Sequence, residues 1–399
     1  MATSRNDEGT APELSLPSAA PLYQETGTWL SRRAARFRHW RNQKIASPGF
    51  RNWVMRMPGL RSIANRKATA LFRLTAGFVF SQVLSTCVRL GVLEQLRNGA
   101  RSVEQLARAS AIPAAKMQLL LEQAERLELV TEIAPNSWML DDAGAVVAAD
   151  QGITQMILHH EMLYRDLETP EELLKNPDSE THLKSFWAYA RGRHTLELDE
   201  NTAQNYSTLM QSSQSMLADC ILDAHDFGIY RSILDVGGGN GGFVSACAER
   251  HPNLRLNIFD LPAVAELARR NLSARGLGSR AAVHGGDFVS TPIPDVADCI
   301  SLVRILCDHD DDRVRAILKN LHASLKPGTR VMIAEAMSGP SEGARLAAVY
   351  FSFYFLAMGS GRCRSDAEIR NLLSEAGFSR PHTVKTYNPL LATLVFAKR

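Results

Sequence analysis

The chain has no Cys-x-x-Cys pair. Its six cysteines stand at 87, 220, 247, 299, 307 and 363, scattered over 399 residues. Such spacing gives neither a zinc ribbon nor a disulfide framework, so no metal and a reducing, cytosolic compartment are expected. The opening stretch "MATSRNDEGTAPELSLPSAAP" has no apolar core of the kind a secretory signal carries. No apolar run is expected to approach the roughly 20 residues that span a bilayer. Acids are missing from one long segment: between Thr26 and Leu93 stand thirteen Lys or Arg and no Asp or Glu. The net charge of +3 therefore conceals a basic segment and an acidic remainder. Trp29, Trp40 and Trp53, three of the five tryptophans, lie in that segment. Cations interleaved with indoles suit an anionic membrane surface. They also suit an acidic partner subunit or nucleic acid. The sequence leaves these three open.

What is present is ordinary for a folded protein of two or three domains. Residues 1–28, rich in Pro, Ser, Ala and Thr, read as a disordered tail. Residues 29–98 read as several short helices broken at "SPGF" and "MPGL". "SVEQLARASAIPAAKMQLLLEQAERLELV" reads as two helices, and "TEIAPNSWMLDDAGAVV" as a small hairpin after them. This winged-helix-like order can read DNA, but its second helix offers apolar and acidic side chains rather than base-reading ones. It is taken as a packing or dimerisation module, with no nucleic-acid partner. Helices from about 151 to 228 follow, closing a first domain at 29–228.

From Tyr230 the pattern alternates. "SILDVGGG", "RLNIFDLP", "AAVHGGDF", "DCISLVRIL" and "RVMIAEAM" are short, apolar on both faces, and separated by amphipathic helices. That predicts an α/β domain over 229–399, a Rossmann-like doubly wound parallel sheet covered by helices. "PHTVKTYNPLLATLVFAKR" predicts a terminal β-hairpin on its edge.

"ILDVGGGNGGF" is a strand, a glycine turn and a helix start, with Asp235, Gly237 and Gly239 as candidate cofactor contacts. Glycines let a ligand lie on the backbone, and the helix N-terminus offers N–H groups. This turn alone fits a dinucleotide or S-adenosylmethionine. Asp260 ends the second strand, where a carboxylate can accept from ribose hydroxyls. Asp287 and Phe288 end the third, an acid for an adenine amine followed by a ring that can stack. Taken singly, each Asp is equally a helix or turn cap. Three such sites in order, with the terminal hairpin, favour S-adenosylmethionine over a nicotinamide cofactor.

"LDVGGG", "FDLP", "GDF", "LKPGTRVMIAE" and "LLSEAGF" together resemble the class I S-adenosylmethionine-dependent O-methyltransferases of the plant and bacterial small-molecule type. That resemblance implies a helical, winged-helix N-terminal dimerisation domain, a homodimer and a Rossmann-like catalytic domain. "ASPGFRNWVMRMPGLRSIANRKATALFRLTAGFVFSQVLSTCVRLGVLEQL" and "YSTLMQSSQSMLADCILDAHDF" are similar to the 1-hydroxycarotenoid O-methyltransferases of phototrophic bacteria. The implied reaction moves a methyl group to the tertiary hydroxyl of an acyclic hydroxycarotenoid, giving a methoxycarotenoid of the spheroidene and spirilloxanthin series. Another apolar pigment or polyketide as acceptor, or a regulator that only senses S-adenosylmethionine, remains as an alternative.

The family's general base is a His in an "LHDW"-like stretch. In this chain "ILCDHDD" puts Cys307 at that position and His309 where the Trp stands, while Glu335 matches the family's acid. A second acid has no counterpart, because Cys363 falls there. His309, Glu335 and Cys307 are therefore the catalytic candidates, and His309 the one that titrates near neutral pH. The same "CDHDDD" equally reads as a turn whose acids favour the next helix N-terminus. Arg304 is placed near the cofactor or in a salt bridge rather than on the substrate. The family's acceptor-lining helix matches "AAVYFSFYFLAMGSG", in which Phe351, Phe355 and Met358 share one face, and each of them equally reads as core packing. His160 and Tyr164 in "MILHHEMLYRDL" are the candidate polar wall.

Overall fold

The computed structural model describes residues 28–176, 178–190 and 214–399. The tail expected at the N-terminus lies outside the described residues, except for Thr28. The chain divides into two compact units, Met1–Ser81 and Gln82–Arg399.

The first unit holds α1 (Trp29–Ala46), α2 (Pro48–Arg56) and most of α3 (Pro58–Arg89). Thr28 caps α1, its hydroxyl accepting from the Ser31 amide. Pro48 and Pro58 open α2 and α3, where a missing N–H costs no hydrogen bond. The helix breaks thus fall at "SPGF" and "MPGL", but the series of short helices is corrected. The third helix runs 32 residues, because no proline follows Pro58 until well past its end. By length and composition α3 is also apolar enough to cross a membrane. This corrects the expectation that no stretch approaches that length. Between Lys67 and Arg89 its one charge is Arg73, which interrupts the apolar run without making the stretch polar.

The second unit begins with the last turns of α3, then α4 (Val92–Leu96), α5 (Val103–Ala109) and α6 (Ala114–Glu125). Ser102 and Gln105 close a capping box on α5. A two-stranded hairpin follows, β1 (Val130–Ala134) and β2 (Ser137–Leu140). The hairpin expected to reach "DAGAVV" stops at Leu140. Asp141 caps a helix there, α7 (Asp142–Ala149), by accepting from the Asp142 amide. Leu106, Leu121 and Trp138 bury one core that joins these elements. Then come α8 (Gln151–Asp166), α9 (Pro170–Lys175), α10 (His182–Ala190) and α11, described over 214–224.

The sheet is built from β3 (Ser232–Val236), β4 (Arg255–Asp260), β5 (Ala281–Gly285), β6 (Cys299–Val303), β7 (Arg330–Glu335), β8 (Ser379–Lys385) and β9 (Thr393–Lys398). Between them run α12 (Gly242–Arg250), α13 (Pro262–Ala274), α14 (Asp311–Ser324), α15 (Glu342–Met358) and α16 (Asp366–Glu375). The strand order is β5-β4-β3-β6-β7-β9-β8, parallel except for β9, which runs antiparallel to β7 and to β8. The expected doubly wound sheet and edge hairpin are both present. All five residues of β3 are buried. Ile233 packs with Val244 and Cys247 of α12 on one face, and Leu234 and Val236 with Val314 and Ile317 of α14 on the other. Alternation along each strand sends successive side chains to opposite layers. Each such aliphatic side chain contributes about 1.5–3 kcal/mol when fully buried. The strand ends are thereby held as a fixed frame. Since β3 pairs with β4 on one side and β6 on the other, the order reverses at β3, and a crevice opens beyond its carboxyl end.

Candidate active site

A cleft of about 380 Å³ lies at this reversal. It gathers Asp235, Gly237, Gly239, Asp260, Asp287, Phe288 and Arg304, all seven side chains or turns singled out as cofactor contacts. The glycine turn closes it from below. Gly237 has φ +74, and a Cβ there would come within 2.4 Å of Ile305 Cδ1. Gly239 has φ +57 and faces open space, its nearest neighbour being Gln214 Nε2 at 3.7 Å from an added Cβ. A side chain at 239 would therefore occupy ligand space as well as strain the backbone.

The carboxylates are held rather than loose. Asp260 Oδ2 accepts from the Gly239 amide at 2.8 Å and Oδ1 from the Leu261 amide at 2.7 Å. Burial raises its pKa against the pull of these two donors. Asp287 ties its own turn, Oδ1 accepting from Val289 N and Oδ2 from the Ser290 hydroxyl, each at 3.0 Å. The capping reading and the ligand reading are thus compatible, since each ionised oxygen keeps a second lone pair. Asp235 accepts from the Ser301 hydroxyl at 2.6 Å, and burial pushes its carboxyl up to about 7. Arg304 sits at φ +54, a left-handed conformation costly for an arginine, at the point where β6 enters the cleft.

Sequence reasoning missed Gln214. It lines the cleft, and its Oε1 is buried without a hydrogen-bond partner among the described residues. An acceptor left bare in a ligand cleft calls for a ligand donor. S-adenosylmethionine fits on these observations. It carries ribose hydroxyls for Asp260, a purine for Phe288, an ammonium donor for an acceptor such as Gln214, and positive charge that would favour ionised Asp235.

Beyond β6 the three catalytic candidates separate. A 3₁₀ turn covers Leu306–Asp308, and α14 starts at Asp311 with Asp310 as its cap residue. His309 lines the cleft, its ring 5.7 Å from that of Phe288. Cys307 and Glu335 are buried and do not line it. The Cys307 amide donates to Glu335 Oε2 at 3.0 Å, while Glu335 Oε1 has no partner among the described residues. Burial pushes Glu335 up to about 7. Burial, then the neighbouring Glu335 and Asp308, hold the Cys307 thiol well above the ordinary thiol range, so it stays neutral. Asp308, read from sequence only as part of a turn, lines the cleft beside Trp187 and Ser360.

Arg364 was also missed. It is fully buried, and its guanidinium donates to the carbonyls of Leu306 (2.8 Å) and His309 (2.7 Å) and to Asp311 Oδ1 (2.7 Å). One side chain therefore fixes both ends of the turn that carries Cys307, Asp308 and His309. Arg362 adds a second ion pair to Asp311, and the two arginines hold that carboxyl down at about 2. The signal was present in "GRCRS", two arginines opposite a run of acids, but sequence distance hid it.

The acceptor candidates meet in a second, apolar cluster. Phe355 and Met358 of α15 are buried with Cys307, Leu163 and Leu183, and Phe351 packs against them. Phe351 and Phe355 stack at 5.8 Å. His160 Nε2 bonds the Tyr350 hydroxyl at 2.8 Å, and the His160 ring lies 6.3 Å from that of Tyr164. His159 bonds Tyr354, which also accepts from Trp187 Nε1 at 2.9 Å. Burial lowers both histidines, His159 to about 4, so they are neutral near pH 7. Trp187 touches both this cluster and the cleft.

The fold and cleft define an S-adenosylmethionine-dependent methyltransferase. A family model described as an O-methyltransferase domain matches residues 172–379. The chain is 42% identical over 344 residues to the demethylspheroidene O-methyltransferase of Cereibacter sphaeroides, covering 86% of this chain and 90% of that protein. It is 38% identical to the enzyme of the same name from Rhodobacter capsulatus, covering 86% and 85%. Among solved structures, the pyocyanin biosynthetic protein PhzM superposes with a TM-score of 0.71 at 23% identity, covering 84% of this chain and 99% of that one. The chain belongs to the O-methyltransferase family and is an enzyme that uses S-adenosylmethionine.

Proposed function

We propose that the enzyme methylates a tertiary hydroxyl of an acyclic hydroxycarotenoid, yielding a methoxycarotenoid. The observation that carries this reading is the 42% identity, over nearly the whole of both chains, to a relative named demethylspheroidene O-methyltransferase. A polyene needs an apolar bed, and the cluster of Phe351, Phe355 and Met358 would have to open to provide it, because Phe355 and Met358 are buried and none of the three lines the cleft.

The bound donor supplies a methyl group already activated by its sulfonium. The protein's residues then have two tasks, alignment and proton removal. A tertiary alcohol is far less acidic than a phenol, whose pKa is about 10 like that of Tyr. Full ionisation before transfer is therefore not required of the site. The proton leaves as the carbon–oxygen bond forms or just after. Holding the hydroxyl in line with the methyl, in a pocket that excludes water, supplies much of the barrier reduction. Arg364 sets the turn, and Tyr350 and Tyr354, held by His160 and His159, stiffen the acceptor wall. We assign the proton to His309. Its contact with Phe288 favours a second reading, in which the imidazole holds the purine and Asp308 receives the proton.

The test is incubation of the purified enzyme with labelled S-adenosylmethionine and a panel of acceptors, read by mass. Acyclic 1-hydroxycarotenoids should each gain one labelled methyl per free tertiary hydroxyl, while cyclic hydroxycarotenoids and small phenols should react far more slowly. Preferential labelling of a phenolic pigment or polyketide would replace the carotenoid with that acceptor.

A further inference from the structure

The first unit presents a surface that the catalytic reading does not use. Twelve Lys or Arg lie between Thr28 and Ser81 with no Asp or Glu. Large apolar side chains are exposed among them. Trp29 is 64% exposed, Phe37 61%, Trp40 53% and Trp53 47%. Rings pair along both short helices, Phe37 with Trp40 at 5.8 Å and Phe50 with Trp53 at 5.7 Å. The Arg33 guanidinium lies 4.7 Å from the centroid of the Trp29 ring. In α3 the exposure continues, with Phe72 at 64% and Leu74 at 81%.

We propose that α1, α2 and the first turns of α3 form a docking surface for an anionic lipid bilayer. Two kinds of contact are needed for stable peripheral binding, apolar insertion and attraction to headgroup charge. This segment carries both on the same helices. A lipid surface offers anionic phosphates beside an apolar layer, which matches arginines alternating with indole and phenyl rings. The missing acids matter as much as the cations present, because one carboxylate in the patch would face the lipid phosphates. Docking is the reading that the two ends of α3 support. Its last turns place Cys87, Val83, Leu84 and Val88 in a protein core, and Arg61, Arg66, Lys67 and Arg73 punctuate the rest.

The experiment is co-sedimentation of the full chain with vesicles of phosphatidylcholine alone or mixed with phosphatidylglycerol, across a salt series, without any acceptor. Binding should require phosphatidylglycerol and fall as salt rises, because the attraction is screened. The variant R33Q/R36Q/R38Q/R41Q should lose roughly a thousandfold in vesicle affinity at low salt, four cations at about 1 kcal/mol each near the surface. Trp29→Ser with Trp40→Ser should weaken binding while leaving more salt dependence in what remains. Methyl transfer to a detergent-solubilised acceptor and the mass in light scattering should be unchanged in both, which shows the variants folded. Equal recovery on neutral vesicles, or none on either, overturns the proposal. So does a fall in mass in the variants without vesicle binding by the wild type, which would make a second copy the occupant. A shift of duplex DNA in place of vesicle binding overturns it as well. Because no acceptor is present, the vesicle result is independent of the carotenoid assignment.

Discussion

The backbone amide of Cys307 donates to Glu335 Oε2 at 3.0 Å, and the other oxygen of that carboxyl is buried without a partner among the described residues. A thiol thus stands where the resemblance places the family's general base, next to an acid with a spare lone pair. Cys307→His should place an imidazole against Glu335 and raise the rate on phenolic acceptors, measured as kcat/KM for labelled methyl transfer. An unchanged phenol rate in a folded variant would show that position 307 does not address the acceptor oxygen.

Glu335 also ties stability to pH. Its folded pKa is about 7, above the ordinary value of 4.5, with burial as the main cause. As pH rises from about 4.5 to about 7, the unfolded chain sheds this proton first, so the folded state loses stability across that window. Asp235, pushed up to about 7 as well, acts with the same sign. Urea unfolding of the ligand-free protein should show Glu335→Gln flattening this decline by about 1–3 kcal/mol. A decline of equal depth in the variant would remove Glu335 as its source.

Asp260→Ala should weaken S-adenosylmethionine binding by about 1.5–3 kcal/mol, as expected for hydrogen bonds to a charged group. Calorimetry on the variant decides it, with a melting curve as the control, because Asp260 also fastens the Gly239 amide. Unchanged affinity would strike Asp260 from the cofactor contacts.

Arg364→Met removes a buried cation that bridges Leu306, His309 and Asp311. Asp311 is about a third exposed and keeps Arg362, so the cost falls on the Leu306 and His309 carbonyls left without their donor, about 1–3 kcal/mol each, and the melting temperature should fall. Arg364→Lys is the sharper probe. It keeps the charge but loses the planar fork, and it should lower kcat with little change in the affinity for S-adenosylmethionine. A stable Lys variant with wild-type kcat would reduce Arg364 to a structural role.

The cleft at the sheet reversal was legible from sequence because it is local. Strand, glycine turn and carboxylate recur in chain order, and Asp235, Gly237, Asp260 and Phe288 line that one cleft. The acceptor half was only partly legible. The face shared by Phe351, Phe355 and Met358 follows from helical spacing, but its partners come from elsewhere, as His160 reaching Tyr350 shows. Arg364 and Gln214 stayed hidden for the same reason, since a long-range contact leaves no local spacing. The length of α3 was underestimated because Arg73 breaks the apolar run without breaking the helix. The hairpin was overextended because Asp141 acts as a helix cap and not as a turn residue.

The most direct test of the mechanism is the single-turnover rate of His309→Ala on an acyclic 1-hydroxycarotenoid at saturating S-adenosylmethionine, with donor affinity measured beside it. If His309 takes the proton, the rate should fall by about 10²–10⁴ while donor affinity changes little. A wild-type rate with weakened donor binding would contradict this, place the imidazole with Phe288 on the purine, and leave alignment in a dry pocket as the source of the rate.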